Sequence, residues 1–181
     1  MQFEVVRFVS ASATDFVDFW SQQYQYDFQE LYDNNVGRAL TEERIWQMYR
    51  WKNGTAISAK KKKSIRSAYL SQLKTLPNLV TLEEGKAYIA SLKGGAIWGV
   101  FWLHCIKPKL FPIFDQHTYR SMAKINGLEP PEIPTAKTKK LDAYFEQYIP
   151  FTKRFSGISS RDLDKALFAY GRFLKRGLSG K

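Results

Sequence analysis

The sequence predicts an all-α domain of about seven or eight helices, and three observations carry that prediction. Apolar residues recur at three- and four-residue steps through most of the chain. Capping residues stand ahead of those runs, at Thr41, Thr81, Asp115 and Ser159. Breakers close them at Gly37, Asn53-Gly54, Gly94-Gly95 and Asn126-Gly127. The 181 residues suit one domain, 1–181, or two helical lobes that share a cleft. With 44% hydrophobic and 15% aromatic residues, a core can form, and the composition argues against disorder.

Phe3 to Val9 has the composition of a short strand but no partner strand, so it is expected as an extended arm. From Thr14 onward Phe16, Phe19, Trp20, Tyr24, Phe28, Leu31 and Tyr32 share one helical face, which reads as core. Ser12 or Thr14 can cap that helix. Thr41 opens a second helix, with Ile45, Met48 and Tyr49 inward and Lys52-Asn53-Gly54 as its stop. Ser58 to Leu76 reads as a third, ended by Pro77. Thr81 to Glu84 is a capping box for a fourth.

Ala96 to Ile106 is apolar on all sides, which predicts a buried central helix. Asp115 is placed as the N-cap of a helix to Ile125. Lys137 to Ile149 and the run after Ser159 complete the set. Pro130-Pro131 and Pro134 mark a rigid loop between them.

Lys and Arg number 28 against 17 Asp and Glu, a net charge of +11. For a folded domain that points to a polyanionic partner, nucleic acid before an anionic membrane, although the same charge also serves solubility. The one cysteine, Cys105, excludes an internal disulfide and a cysteine-ligated cluster. Two histidines, His104 and His117, are too few to favour a zinc site, and no cofactor is expected. No leader-like stretch and no apolar run of roughly 20 residues is present, so a cytoplasmic protein, at the nucleoid if bacterial, is expected.

Lys60, Lys61, Lys62 and Lys63, followed by Arg66, fall in the first turns of the third helix. Cations at the positive end of a helix dipole cost stability, and a bound phosphate reverses the sign. The run is either a phosphate contact or a solvated face. Lys93-Gly94-Gly95 between two helices can likewise form a phosphate-binding turn or a plain connector.

Phe114-Asp115-Gln116-His117-Thr118-Tyr119-Arg120 gives an apolar-Asp-x-His-x-x-Arg pattern, 20 positions after Gly95. Over residues 88–128 the chain resembles the helix-hairpin-helix DNA glycosylase superfamily, most closely small proteins of 8-oxoguanine glycosylase fold. The resemblance implies a two-lobed helical fold and a DNA partner. It implies Asp115 as the catalytic carboxylate, with His117 and Arg120 near the substrate. Trp98, Trp102 and Phe114 are then pocket walls for a flipped base, or else core.

Two departures stand out. The turn is Leu92-Lys93-Gly94-Gly95, one residue short of the superfamily's form. The position of its Schiff-base lysine is occupied by Ile97, and Lys93 precedes the turn. The expectation is therefore a monofunctional N-glycosylase that borohydride does not trap on DNA. A DNA-binding domain that kept the fold without the chemistry is the alternative. For Asp115 an ordinary N-cap role stays open beside the catalytic one. His104 and Cys105 are expected as buried core residues.

Overall fold

A computed structural model describes residues 12–128 and 132–178. Among these the chain is all helical, without strands. The order is α1 (Ala13–Gln22), α2 (Gln29–Asp33), α3 (Glu42–Asn53), α4 (Ala59–Ala68), α5 (Leu82–Ser91), α6 (Ala96–Ile106), α7 (Gln116–Ile125), α8 (Lys137–Asp142), α9 (Ile149–Lys153) and α10 (Ser160–Leu178). α8 runs into α9 through a π-helical stretch, Ala143–Tyr148, so the ten segments make nine helices. The expected arm at Phe3 to Val9 and the Pro130-Pro131 loop lie outside the described residues.

The caps are largely those the sequence announces. Ser12 and Asp15 form a capping box on α1, and Thr81 and Glu84 form one on α5. Thr41 caps α3, and Gly54 ends it at φ 69°, a left-handed conformation that glycine takes without a Cβ penalty. The single expected helix over Thr14–Tyr32 is instead broken. α1 stops at Gln22, and Phe28 takes φ 59° before α2 begins. A non-glycine residue there is uncommon. The break turns two tyrosines inward: the Tyr24 hydroxyl donates to Gln29 Oε1 at 2.9 Å and the Tyr26 hydroxyl to the Trp51 carbonyl at 2.9 Å. The expected helix over Ser58–Leu76 also divides, into α4 and a 3₁₀ turn, Leu70–Thr75.

Two hydrophobic clusters form the core, and α6 serves both. Val100 and Leu103 face one, with residues of α5, α7 and the C-terminal helices. Phe101, Trp102 and Cys105 face the other, with residues of α2, α3 and α4. That is why α6 has no polar face. Trp102 and Phe101 are fully buried, and each such side chain contributes roughly 1.5–3 kcal/mol by leaving water. Trp102 is therefore core and not a pocket wall.

His104 is the polar residue of this helix. Its Nδ1–H donates to the Phe111 carbonyl at 2.8 Å and its Nε2 accepts from the Tyr32 hydroxyl at 3.0 Å, which fixes the neutral tautomer. Burial pushes its pKa down to about 4.

α7 lies against α10 at close range. A Cβ at Gly171 would sit 2.0 Å from the His117 carbonyl oxygen, so only glycine permits this approach. Ser121 Oγ donates to the Leu167 carbonyl at 2.5 Å across the same contact. The π-helical stretch packs the other side of the segment before α7. Tyr144 donates to the Pro112 carbonyl at 2.9 Å, and the Tyr144 and Tyr148 rings lie 5.2 and 5.0 Å from that of Phe114. Among the described residues no helix is long and apolar enough to cross a membrane.

Candidate active site

Asp115 is the N-cap of α7 and is held from several directions. Its Oδ1 accepts from the backbone N–H groups of His117 at 2.8 Å and Thr118 at 3.1 Å. Its own N–H donates to Thr118 Oγ1 at 3.0 Å, which completes a capping box. Oδ2 accepts from Lys52 Nζ at 3.0 Å. Lys52 comes from the last turn of α3, so the pair joins the two core clusters. Its side chain is 6% exposed, whereas that of Asp115 is 21% exposed and reaches solvent.

Burial alone would raise the Asp115 pKa. Lys52, the Thr118 N–H and His117 outweigh it and hold the carboxyl below the usual carboxylate range. Asp115 is therefore ionised at neutral pH.

Around this carboxylate Tyr24, Tyr26, Trp51 and Phe168 bring rings, Ile113 an apolar wall and Asp164 a second carboxyl. The two tyrosines are pushed up to about 12, mainly by burial. Asp164 pairs with Arg161, whose guanidinium also lies 4.4 Å from the Tyr32 ring centroid and donates to Gln29 Oε1 at 2.9 Å. Burial nevertheless pushes Asp164 up to about 6, against the pull of Arg161 and with the help of the Asp115 charge. One cleft thus holds an ionised carboxylate, a lysine amine and a carboxyl that takes a proton near pH 6. The space these groups enclose is about 10 Å³, roughly the room of one water molecule.

The other residues expected at the site divide. His117 stands in the first turn of α7, with its ring edge-on to Phe168 at 5.0 Å and its Nδ1 3.4 Å from Arg120 Nη1. Burial lowers its pKa and Asp115 offsets part of that. Arg120, expected near substrate, is instead enclosed at 3% exposure. It donates to Glu132 Oε1 at 2.7 Å and to the Gly171 carbonyl at 3.2 Å. It fastens α7 to α10. Phe114 is 1% exposed and packed on Tyr144 and Tyr148, so it backs the site and does not line it.

Trp98 is half-buried and lies outside the cleft lining. Its ring sits under Lys61 Nζ at 5.4 Å, and Lys61 donates to Asn53 Oδ1 at 2.6 Å. Asn53 follows Lys52. The start of α6, the lysine run and Asp115 are thereby linked through the end of α3. Gly94 has φ 123° and Gly95 caps α6 with open space over it, while Lys93 is exposed beside them. Lys60, Lys61, Lys62, Lys63 and Arg66 are exposed, and Lys62, Lys63 and Arg66 line an open groove of about 470 Å³ on α4. Among the described residues no group of three or more His, Cys, Asp or Glu is placed to hold a metal.

Sequence reasoning missed Lys52, Tyr24, Tyr26, Asp164 and Arg161. A signal for two of them was present. Lys52 follows Met48 by four residues on the inner face of α3, and Asp164 precedes Phe168 by four on α10. Charges on such faces are rarely buried without a partner. Comparison with protein-family models, with curated proteins and with solved structures finds no match.

Proposed function

We propose that the protein is a DNA base-excision N-glycosylase acting on a damaged or mismatched base turned out of the duplex. One observation carries this reading: the ionised Asp115 carboxylate reaches solvent at the mouth of a cleft walled by aromatic rings. As a base leaves, positive charge develops at the sugar carbon, and a fixed negative charge in a largely dry site stabilises it. The same carboxylate can orient the attacking water. Tyr24, Tyr26, Trp51 and Phe168 offer faces on which a base can stack.

The +11 charge, the α4 groove and the Gly94-Gly95 turn suit a phosphate backbone. The resemblance of Asp115-x-His117-x-x-Arg120 to helix-hairpin-helix glycosylases agrees, with the His117 backbone N–H holding Asp115 and Arg120 fastening α7 to α10. A DNA substrate implies a cytoplasmic or nucleoid location.

The test is base release from a panel of duplexes carrying single lesions or mismatches. The wild type is expected to release a base from one of them, and Asp115→Asn, which keeps the cap but not the charge, to fall by two or more orders of magnitude, about 10²-fold or more. Equal behaviour of the two proteins on every duplex removes the assignment.

A second reading rests on the small enclosed volume. A base does not fit in about 10 Å³, so the rings must part for catalysis. If they stay closed, the chain is a DNA-binding domain of similar architecture. That reading requires salt-sensitive duplex affinity that survives Asp115→Asn.

A further inference from the structure

We infer that residues 23–28, the strap between α1 and α2, are a lid that keeps the cleft shut with the rings of Tyr24 and Tyr26 and lifts away when a nucleotide enters. The inference rests on the reading of the cleft as a site for an extruded base. It names the part that moves, since about 10 Å³ admits no base.

Most of the cleft lining stands on packed elements. Trp51 and Lys52 belong to α3, and Trp51 is 4% exposed within the core. Asp164 and Phe168 belong to α10, which is held on α7 by the close approach at Gly171 and by bonds from Arg120 and Ser121. Ile113 is buried, and Asp115 caps α7. Tyr24 and Tyr26 alone come from a stretch outside any helix. Along it the side chains alternate, with both tyrosines partly buried and Gln23, Gln25 and Asp27 exposed.

Tyr26 occupies room that a base needs. Its ring centroid lies 5.3 Å from that of Phe168 and 5.4 Å from that of Trp51, both within the range of aromatic pairing. With the strap lifted, Trp51 and Phe168 remain as the stacking faces beside Asp115. The fastenings are few and polar. Tyr24 Oη accepts from Arg161 Nη2 at 3.3 Å, and Arg172 Nη1 donates to the Gln25 carbonyl at 2.9 Å. Such bonds exchange for water at small net cost. Phe28 supplies a hinge at the α2 end. Its φ of 59° is uncommon for a residue with a side chain, and the Arg50 guanidinium lies 5.1 Å from its ring. The outward residues Gln23, Gln25 and Asp27 include no cation, so the strap offers a phosphate backbone nothing to hold.

The experiment joins hydrogen–deuterium exchange of the full chain, read by mass spectrometry, to binding of matched and singly mismatched duplexes, read by fluorescence anisotropy. Arg172→Gln unfastens the strap from outside the lining, and Tyr26→Ala removes the ring. Circular-dichroism melts check that both are folded. In free Arg172→Gln the peptide over residues 23–28 is expected to exchange about tenfold faster, with α3 and α7 unchanged. A site that is open for only a fraction of the time binds more weakly by that fraction, so both variants should raise the preference for mismatched over matched duplex about tenfold. Unchanged exchange of the strap, or α3 and α7 loosening in step with it, overturns the lid. A preference that does not rise in either folded variant also overturns it. A loosened strap with the raised preference, but no base released from any duplex, supports the lid and removes the glycosylase. Asp115-dependent base release with an unmoved strap removes the lid and leaves the glycosylase reading standing.

Discussion

Two helix N-termini of this protein are built in opposite ways. At α7 the dipole's positive end meets Asp115, two backbone N–H groups fill one carboxylate oxygen and Lys52 takes the other. At α4 the first turns carry Lys60, Lys61, Lys62 and Lys63, all exposed, with only Ser58 as cap. The first arrangement is stabilising, the second costs stability. A terminus that is already satisfied can place a charge accurately, whereas an unsatisfied one can gain by receiving an anion. Under the proposed function, the contrast is between a terminus that positions a reacting charge and one that receives a phosphate.

The strongest way to break the contrast is to empty the α7 terminus. Asp115→Ala removes a cap worth about 1 kcal/mol and leaves Lys52 buried without its carboxylate. With partial exposure discounted, the expected total loss is about 4 kcal/mol in urea unfolding at pH 7. A loss under about 1 kcal/mol would mean that the Lys52 pair contributes nothing.

Acid titration sharpens the comparison next. Asp115 has a lowered pKa, so its contribution is present above its unfolded value of about 3.9 and is lost as pH falls through the folded one. His104 acts earlier. Its folded pKa of about 4 lies below the unfolded value of about 6.5. Its contribution is complete above pH 6.5 and is lost as pH falls to 4, up to about 3 kcal/mol. Asp164, pushed up to about 6, has the opposite sign: its contribution is present below about 3.9 and is lost as pH rises through 6. The wild type is therefore expected to show a shallow stability profile between pH 4 and 6, and Asp164→Asn a steeper one. Equal slopes in equilibrium melts would refute the assignment.

The smallest effect is at α4. Replacing Lys60, Lys61, Lys62 and Lys63 by Gln should stabilise the fold by about 1 kcal/mol at low salt, a few tenths for each. It should also weaken duplex binding and flatten its dependence on salt, read by fluorescence anisotropy at several ionic strengths. A change in stability without a change in salt slope would mark the run as a solvated face.

Much of the fold was legible because its signals are local. Thr81 and Glu84 are three residues apart, and α6 betrays its burial by having no polar side. Asp115 was legible as a cap for the same reason. The cleft was not, because its contacts are remote: Lys52 to Asp115 spans 63 residues and Arg161 to Tyr24 spans 137. The break at Phe28 hid behind an unbroken aromatic stripe. Periodicity records which residues face inward, and Tyr24 faces inward on either side of a bend. For Arg120 and Phe114, sequence placed the residues beside Asp115 correctly but could not tell a wall of the cleft from the frame behind it.

The π-helical stretch at Ala143–Tyr148 holds more chain per turn than an α-helix does. Removing one residue at solvent-facing Glu146 or Gln147 would let that stretch relax to α pitch. Five residues at α pitch turn roughly as far as the six do here, so the later residues would keep their direction to within about 20°. Tyr148 would stay against the ring of Phe114, and the segment that presents Asp115 would keep its backing. At this place the chain can lose a surface residue without disturbing the cleft, whereas the same deletion in an all-α turn would swing every later side chain by about 100°.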